Sequence, residues 1–125
     1  KVSSPSDVDT EMVVDGFLIT FSRNELADSY VLYYTDWSVA PQKVPNTAEN
    51  IFLGVPTFNL YQKVALANLD AEDCPVDKLP EEVYLCSGKI NYILADPQLA
   101  SGMYVGITAV KDGEESQLNE FMVAG

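Results

Sequence analysis

Gly102-Met-Tyr-Val-Gly-Ile-Thr-Ala-Val110, Lys111-Asp-Gly-Glu-Glu-Ser116 and Gln117-Leu-Asn-Glu-Phe-Met-Val123 decide the fold class. Counting back by twos from Ala109 puts Ile107, Val105 and Met103 on one side, the period of a half-buried strand. Asp112-Gly113 is a hairpin-type turn, because both residue types accept the positive φ that a two-residue connection requires. The three pieces therefore read as strand, tight turn, strand. Outward from this pair, Lys89-Ile-Asn-Tyr-Ile-Leu94 is another strand. Ser29-Tyr-Val-Leu-Tyr-Tyr-Thr35 sets Tyr30, Leu32 and Tyr34 on one face and Val31, Tyr33 and Thr35 on the other. With both faces partly covered, that strand reads as central. Glu11-Met-Val-Val14, the turn Asp15-Gly16 and Phe17-Leu-Ile-Thr-Phe-Ser22 complete the front of the chain.

From Asp36 to Gly88 the pattern is less regular, with prolines at 41, 45, 56, 75 and 80. Proline keeps to sheet edges, bulges and loops, so this span is not a run of central strands. In Tyr61-Gln-Lys-Val-Ala-Leu-Ala-Asn-Leu69 a strand would align Val64, Leu66 and Asn68, whereas a helix would align Leu60, Val64 and Ala67. Pro56 before it and the loop-like Asp70-Ala-Glu-Asp-Cys74 after it favour a strand. Glu82-Val-Tyr-Leu-Cys86 is a further short strand. Seven or more short strands with turn chemistry between them predict one all-β domain over 1–125, a two-sheet sandwich.

The 125 residues suit one domain, and 47% hydrophobic with 21% charged residues is a globular composition. Seven Lys and Arg stand against 19 Asp and Glu, a formal charge of -12. Such a chain repels phosphate backbones and anionic membrane surfaces, which excludes nucleic acid as a partner. No apolar run is long enough for a membrane-spanning helix, so membrane insertion is not expected either. The chain has no His, which removes the commonest general base and metal ligand. There is no Gly-x-Ser-x-Gly elbow, and no pair of carboxylates is singled out for glycoside chemistry. A small hydrolase is the least favoured reading, and no catalytic residue is assigned.

Cys74 and Cys86 enclose a segment that suits a hairpin-like loop closed by a disulfide, which the chain-entropy argument values at about 3 kcal/mol. Two buried free thiols are the alternative. A disulfide would place the domain outside the cytoplasm, extracellular, at the cell surface or in a periplasm. The acids Asp70, Glu72, Asp73 and Asp77 offer the hard oxygen ligands that a calcium site uses. A solvated acidic loop is the plainer reading, since the EF-hand order and its glycine are absent. No other cofactor is expected.

The two ends of the chain resemble a fibronectin type III domain of the divergent kind found on secreted bacterial proteins. The resemblance lies in Ser3-Ser-Pro-Ser-Asp-Val8, Gly16-Phe-Leu-Ile-Thr-Phe-Ser22 and Asp28-Ser-Tyr-Val-Leu-Tyr-Tyr34. It is strongest from Ile90 to Ser116, which is similar to the family's strand, corner, Thr-Ala-Val strand end and Gly-x-x-Ser exit. The resemblance implies an immunoglobulin-like or fibronectin type III-like β-sandwich that works in adhesion, spacing or assembly. Phe21 stands where the family carries a core Trp. The corner Leu99-Ala-Ser-Gly-Met-Tyr104 is one residue short, which leaves Tyr104 out of register with the buried corner position. The span 36–88 reads as a long insertion between the third strand and the strand before the corner.

Tyr33, Trp37, Phe52, Phe58, Tyr61 and Tyr84 fall in or beside that insertion, with Ile51 and Leu53 among them. They build either a second small core or an exposed patch. On the second reading Trp37, Ile51, Phe52, Leu53, Phe58 and Tyr61 are the partner-binding candidates. Asp70, Glu72, Asp73, Asp77, Glu81 and Glu82 surround the cysteine loop, whereas Val39 to Val64 contains Lys43, Lys63 and only Glu49 as an acid. The insertion thus splits into a nearly neutral aromatic half and an acidic half. The expected function is a non-catalytic extracellular structural or protein-interaction module, such as a subunit of a pilus-like filament, that binds a protein partner or its own copies. The alternative is a carbohydrate-binding or enzyme-accessory module with Trp37 and a tyrosine as its platform.

Overall fold

A computed structural model describes residues 2–35, 61–95, 104–118 and 122–123. The described residues contain strands and no helix. The strands are β1 (Asp9–Val13), β2 (Gly16–Ser22), β3 (Ser29–Thr35), β4 (Tyr61–Ala67), β5 (Val83–Cys86), β6 (Lys89–Leu94), β7 (Tyr104–Lys111), β8 (Glu114–Glu115) and β9 (Met122–Val123). They form two antiparallel sheets, one in the order β1-β2-β6-β5 and one in the order β4-β3-β7-β8, with β9 also on β7. The protein is therefore an all-β sandwich.

Alternation along the strands builds the core between the sheets. Phe17, Ile19 and Phe21 of β2, with Ile90, Tyr92 and Leu94 of β6, face Tyr30, Leu32 and Tyr34 of β3 and Val105, Ile107 and Ala109 of β7. Phe21 and Tyr30 meet edge to face, with ring centroids 4.7 Å apart and planes at 74°, the geometry that aromatic quadrupoles favour. The phenylalanine thus fills an aromatic core position. β3 is central, between β4 and β7, and both of its faces are used. Tyr33, on the face away from the core, is buried as fully as Leu32.

The turns follow backbone chemistry. Asp112 and Gly113 have φ of 52° and 79°, and Ser87 and Gly88 have φ of 54° and 75°, so both two-residue connections are of the primed type that suits the twist of a hairpin. The second of these was not anticipated from the sequence. At Gly16, with φ of 146°, a Cβ would collide with the carbonyl oxygen of Leu94, so glycine is needed for β2 to start beside the end of β6.

One element differs from the sequence expectation. The pairing with β7 already resumes at β8 (Glu114–Glu115), inside the expected turn segment, and of the expected strand Gln117–Val123 the described residues hold β9. The Ser116 amide donates to Ala109 O (2.7 Å), while its Oγ, in place of a backbone carbonyl, accepts the amide of Ala109 (2.9 Å). Within the span 36–88 the expected strands are β4 and β5, each last in the strand order of its sheet among the described residues, so the chain crosses from one sheet to the other within 68–82. On the opposite side, the N-terminal segment joins the sheets. Ser22 N donates to Ser6 O (3.0 Å), and Ser4 Oγ donates to Gln117 O.

Candidate interaction edges and the cysteine loop

The crossing from β4 to β5 begins at a polar plug. Asn68, at the exit of β4, donates from Nδ2 to Asn24 O (2.7 Å) and Ala27 O (2.8 Å). Its Oδ1 accepts the Tyr30 hydroxyl at 2.7 Å, and the same hydroxyl accepts the amide of Asn24 at 2.9 Å. Arg23 Nε reaches Leu69 O at 2.6 Å. A loop that would otherwise leave several backbone groups unpaired is tied to the sandwich by one amide side chain and one phenol. Burial of Tyr30 raises its pKa, a shift that outweighs the opposing effect of the Asn24 hydrogen bond.

Beyond the plug the chain lies along the outer edge of β5. Glu72 pairs in parallel with Leu85, and the amide of Asp73 donates to Leu85 O at 2.7 Å. The Glu72 carboxylate accepts the amides of Ser87 (2.7 Å) and Gly88 (3.0 Å), which caps the turn between β5 and β6. Cys74 and Cys86 form a disulfide with their Cα atoms 5.0 Å apart. Past the disulfide, Val76 and Leu79 stand in solvent, at 99% and 53% exposure. Glu81 N returns the chain to Ile93 O at 2.8 Å.

The acidic residues of this loop do not gather around a common point. Among the described residues no group of three or more metal-ligating side chains comes together, so Asp70, Glu72, Asp73 and Asp77 form no such set. The Glu72 oxygens are already occupied by backbone amides, a role that sequence reasoning missed. Its only local signal was the Ser87-Gly88 dipeptide, a turn marker whose free amides need an acceptor.

Of the partner-binding candidates, Trp37, Ile51, Phe52, Leu53 and Phe58 lie outside the described residues, and Tyr61 is the first residue of β4. The aromatic side chains whose burial is described, Phe17, Phe21, Tyr30, Tyr33, Tyr34, Tyr84 and Tyr92, are buried. Two of them carry unforeseen chemistry. The Tyr33 hydroxyl donates to Glu115 Oε1 at 2.5 Å, and Thr108 Oγ1 donates to the same oxygen at 2.7 Å. Burial, then the Glu115 carboxylate, pushes the Tyr33 phenol far above its ordinary range. The Tyr84 hydroxyl is buried with no hydrogen-bond partner, and its pKa is raised by burial and secondarily by Glu82.

The sheet edges differ in how they are closed. β1 carries the acids Asp9 and Glu11 in alternate positions, which repel an approaching strand of this acidic chain. β5 is covered by residues 72–74. β4 is seven residues long and has no described strand on its outer side. Lys63, Ala65 and Ala67 are exposed along it, and Leu66 turns into the core.

No helix among the described residues is long and apolar enough to cross a membrane. The disulfide fits an oxidising compartment. No protein-family model, curated protein or solved structure matches the chain.

Proposed function

We infer that the protein is a non-catalytic extracellular module of the fibronectin type III-like kind, and that it serves as a subunit of a cell-surface assembly. The observation that carries this reading is the contrast between edges. Acids protect β1 and a stapled segment covers β5, while β4 is a seven-residue strand with Ala65 and Ala67 exposed and no described strand on its outer side. An extended strand from a second copy can add to such an edge through main-chain hydrogen bonds. The strand order of the two sheets, with the third strand central, supports the sandwich type that the sequence resemblance implies. An oxidising, extracellular location is supported by the disulfide. A carbohydrate platform has no support from Tyr33, which is buried.

The test is the association state across ionic strength, read by light scattering. Copies that each carry a charge of -12 repel one another, so association through β4 should strengthen as salt screens them. The double substitution Ala65→Glu and Ala67→Glu, at exposed positions, should abolish the larger species while leaving the fold intact. A strictly monomeric protein at every salt and concentration would overturn the reading, as would assembly that the double variant leaves unchanged.

A further inference from the structure

The geometry points to the Cys74–Cys86 disulfide as a redox latch that holds residues 70–82 over the edge of β5. This inference concerns β5 rather than β4 and stands whether or not β4 associates. The covering segment has little apolar anchorage. Val76 and Leu79 are exposed, and Asp70, Ala71, Glu72, Asp73 and Cys74 are exposed as well. What fixes the segment is the disulfide, the hydrogen bond from the Asp73 amide to Leu85 O, the two turn amides on Glu72 and the return contact of Glu81 with Ile93. Side chains that hold the sandwich together lie elsewhere, between the sheets, and the disulfide joins only the covering segment to the edge strand. Opening it releases the cover without cutting any connection between the two sheets.

The bond is also reachable, because Cys74 is exposed and Cys86 half-buried. A small dithiol can attack it by thiol–disulfide exchange. Its thiolate displaces one cysteine sulfur to give a mixed disulfide, and its second thiol then displaces the other. The protein gains two thiols and the reagent is oxidised to its cyclic disulfide, so two electrons and two protons move to the protein. Once the tether is gone, the negative charges at Asp70, Glu72, Asp73, Asp77, Glu81 and Glu82 favour detachment, with Lys78 as the one opposing charge in the segment. The carbonyl of Leu85 then loses the amide of Asp73, and β5 becomes an open edge.

The experiment is amide hydrogen exchange on the whole protein, oxidised and after treatment with dithiothreitol under native conditions. A Cys74→Ser, Cys86→Ser double variant gives the open state without reductant. In both open forms the amides of Asp73, Ser87 and Gly88 should exchange at least about tenfold faster, while those of Phe21, Leu32 and Ile107 keep their protection. Three results would overturn the latch. One is a bond that resists the dithiol until the protein is unfolded. Another is protection at Asp73, Ser87 and Gly88 that survives its loss. The third is core protection that collapses in both open forms, which would make the disulfide a staple of the fold.

Discussion

Two tyrosines on the outer sheet faces make opposite demands on stability. The Tyr33 hydroxyl is bound to a carboxylate, and hydrogen bonds to charged groups are the stronger kind. Tyr33→Phe should therefore cost about 1–2 kcal/mol in denaturant unfolding at neutral pH. Tyr84→Phe removes a buried hydroxyl that has no partner, so it should be neutral or stabilising by about 1 kcal/mol. The two variants, measured side by side, separate a satisfied buried phenol from an orphaned one. Tyr33 also sets a pH dependence. Its folded pKa lies above the ordinary 10.0, so the folded state holds its proton when the unfolded state has lost it. The stability from Tyr33 is complete below that value and declines as pH rises beyond it. Alkaline unfolding curves should fall more gently above pH 10.0 for Tyr33→Phe than for the parent protein. None of this was legible in the sequence. Tyr33 and Glu115 are 82 positions apart, and nothing local to either residue indicates the other.

At the scale of elements, periodicity identified those strands whose neighbours are also regular. β3 and β6 begin and end where alternation places them, because each lies inside a sheet and pairs on both sides. Tyr61 to Leu69 was ambiguous by period alone, since an edge strand faces fewer constraints. The structure makes it β4 and ends it at Ala67, where Asn68 leaves the ladder to bind Asn24 and Ala27. Asn68→Ala should cost about 1–2 kcal/mol, because Ala27 O loses its side-chain donor and the Tyr30 hydroxyl its Asn68 acceptor, while Asn24 O keeps the amide of Ala27 and the hydroxyl keeps the amide of Asn24. Thermal or denaturant unfolding checks this, and an Asn68→Asp variant should recover only the contact with Tyr30. The resumption of pairing at β8, inside the expected turn segment, escaped the sequence reading for a similar reason. A serine side chain that replaces a carbonyl in the ladder depends on a partner in another strand, Ala109, that alternation does not reveal. The disulfide was legible because the two cysteines have few other options.

For the whole molecule, the core and the surface follow different rules. The sandwich interior is set by large apolar side chains, and Phe21→Ala should cost about 3–5 kcal/mol through the cavity it leaves beside Tyr30. The proposed function lies in what the sheets leave at their rims. The net charge of -12 keeps copies apart at low salt and makes any association dependent on ionic strength. The acidic cysteine half of the middle segment closes one edge, whereas the seven residues of β4 carry one lysine and no acid. The sequence showed that charge asymmetry but not its meaning, because only the strand order reveals that the two halves end on different sheets.

Amide hydrogen exchange along β4, compared between dilute low-salt protein and concentrated protein at high salt, tests the central claim most directly. The account predicts new protection for amides within Tyr61–Ala67 under the second condition, with β1 and β5 unchanged. Association that brings no protection to β4, or protection that appears at β1 instead, would contradict it.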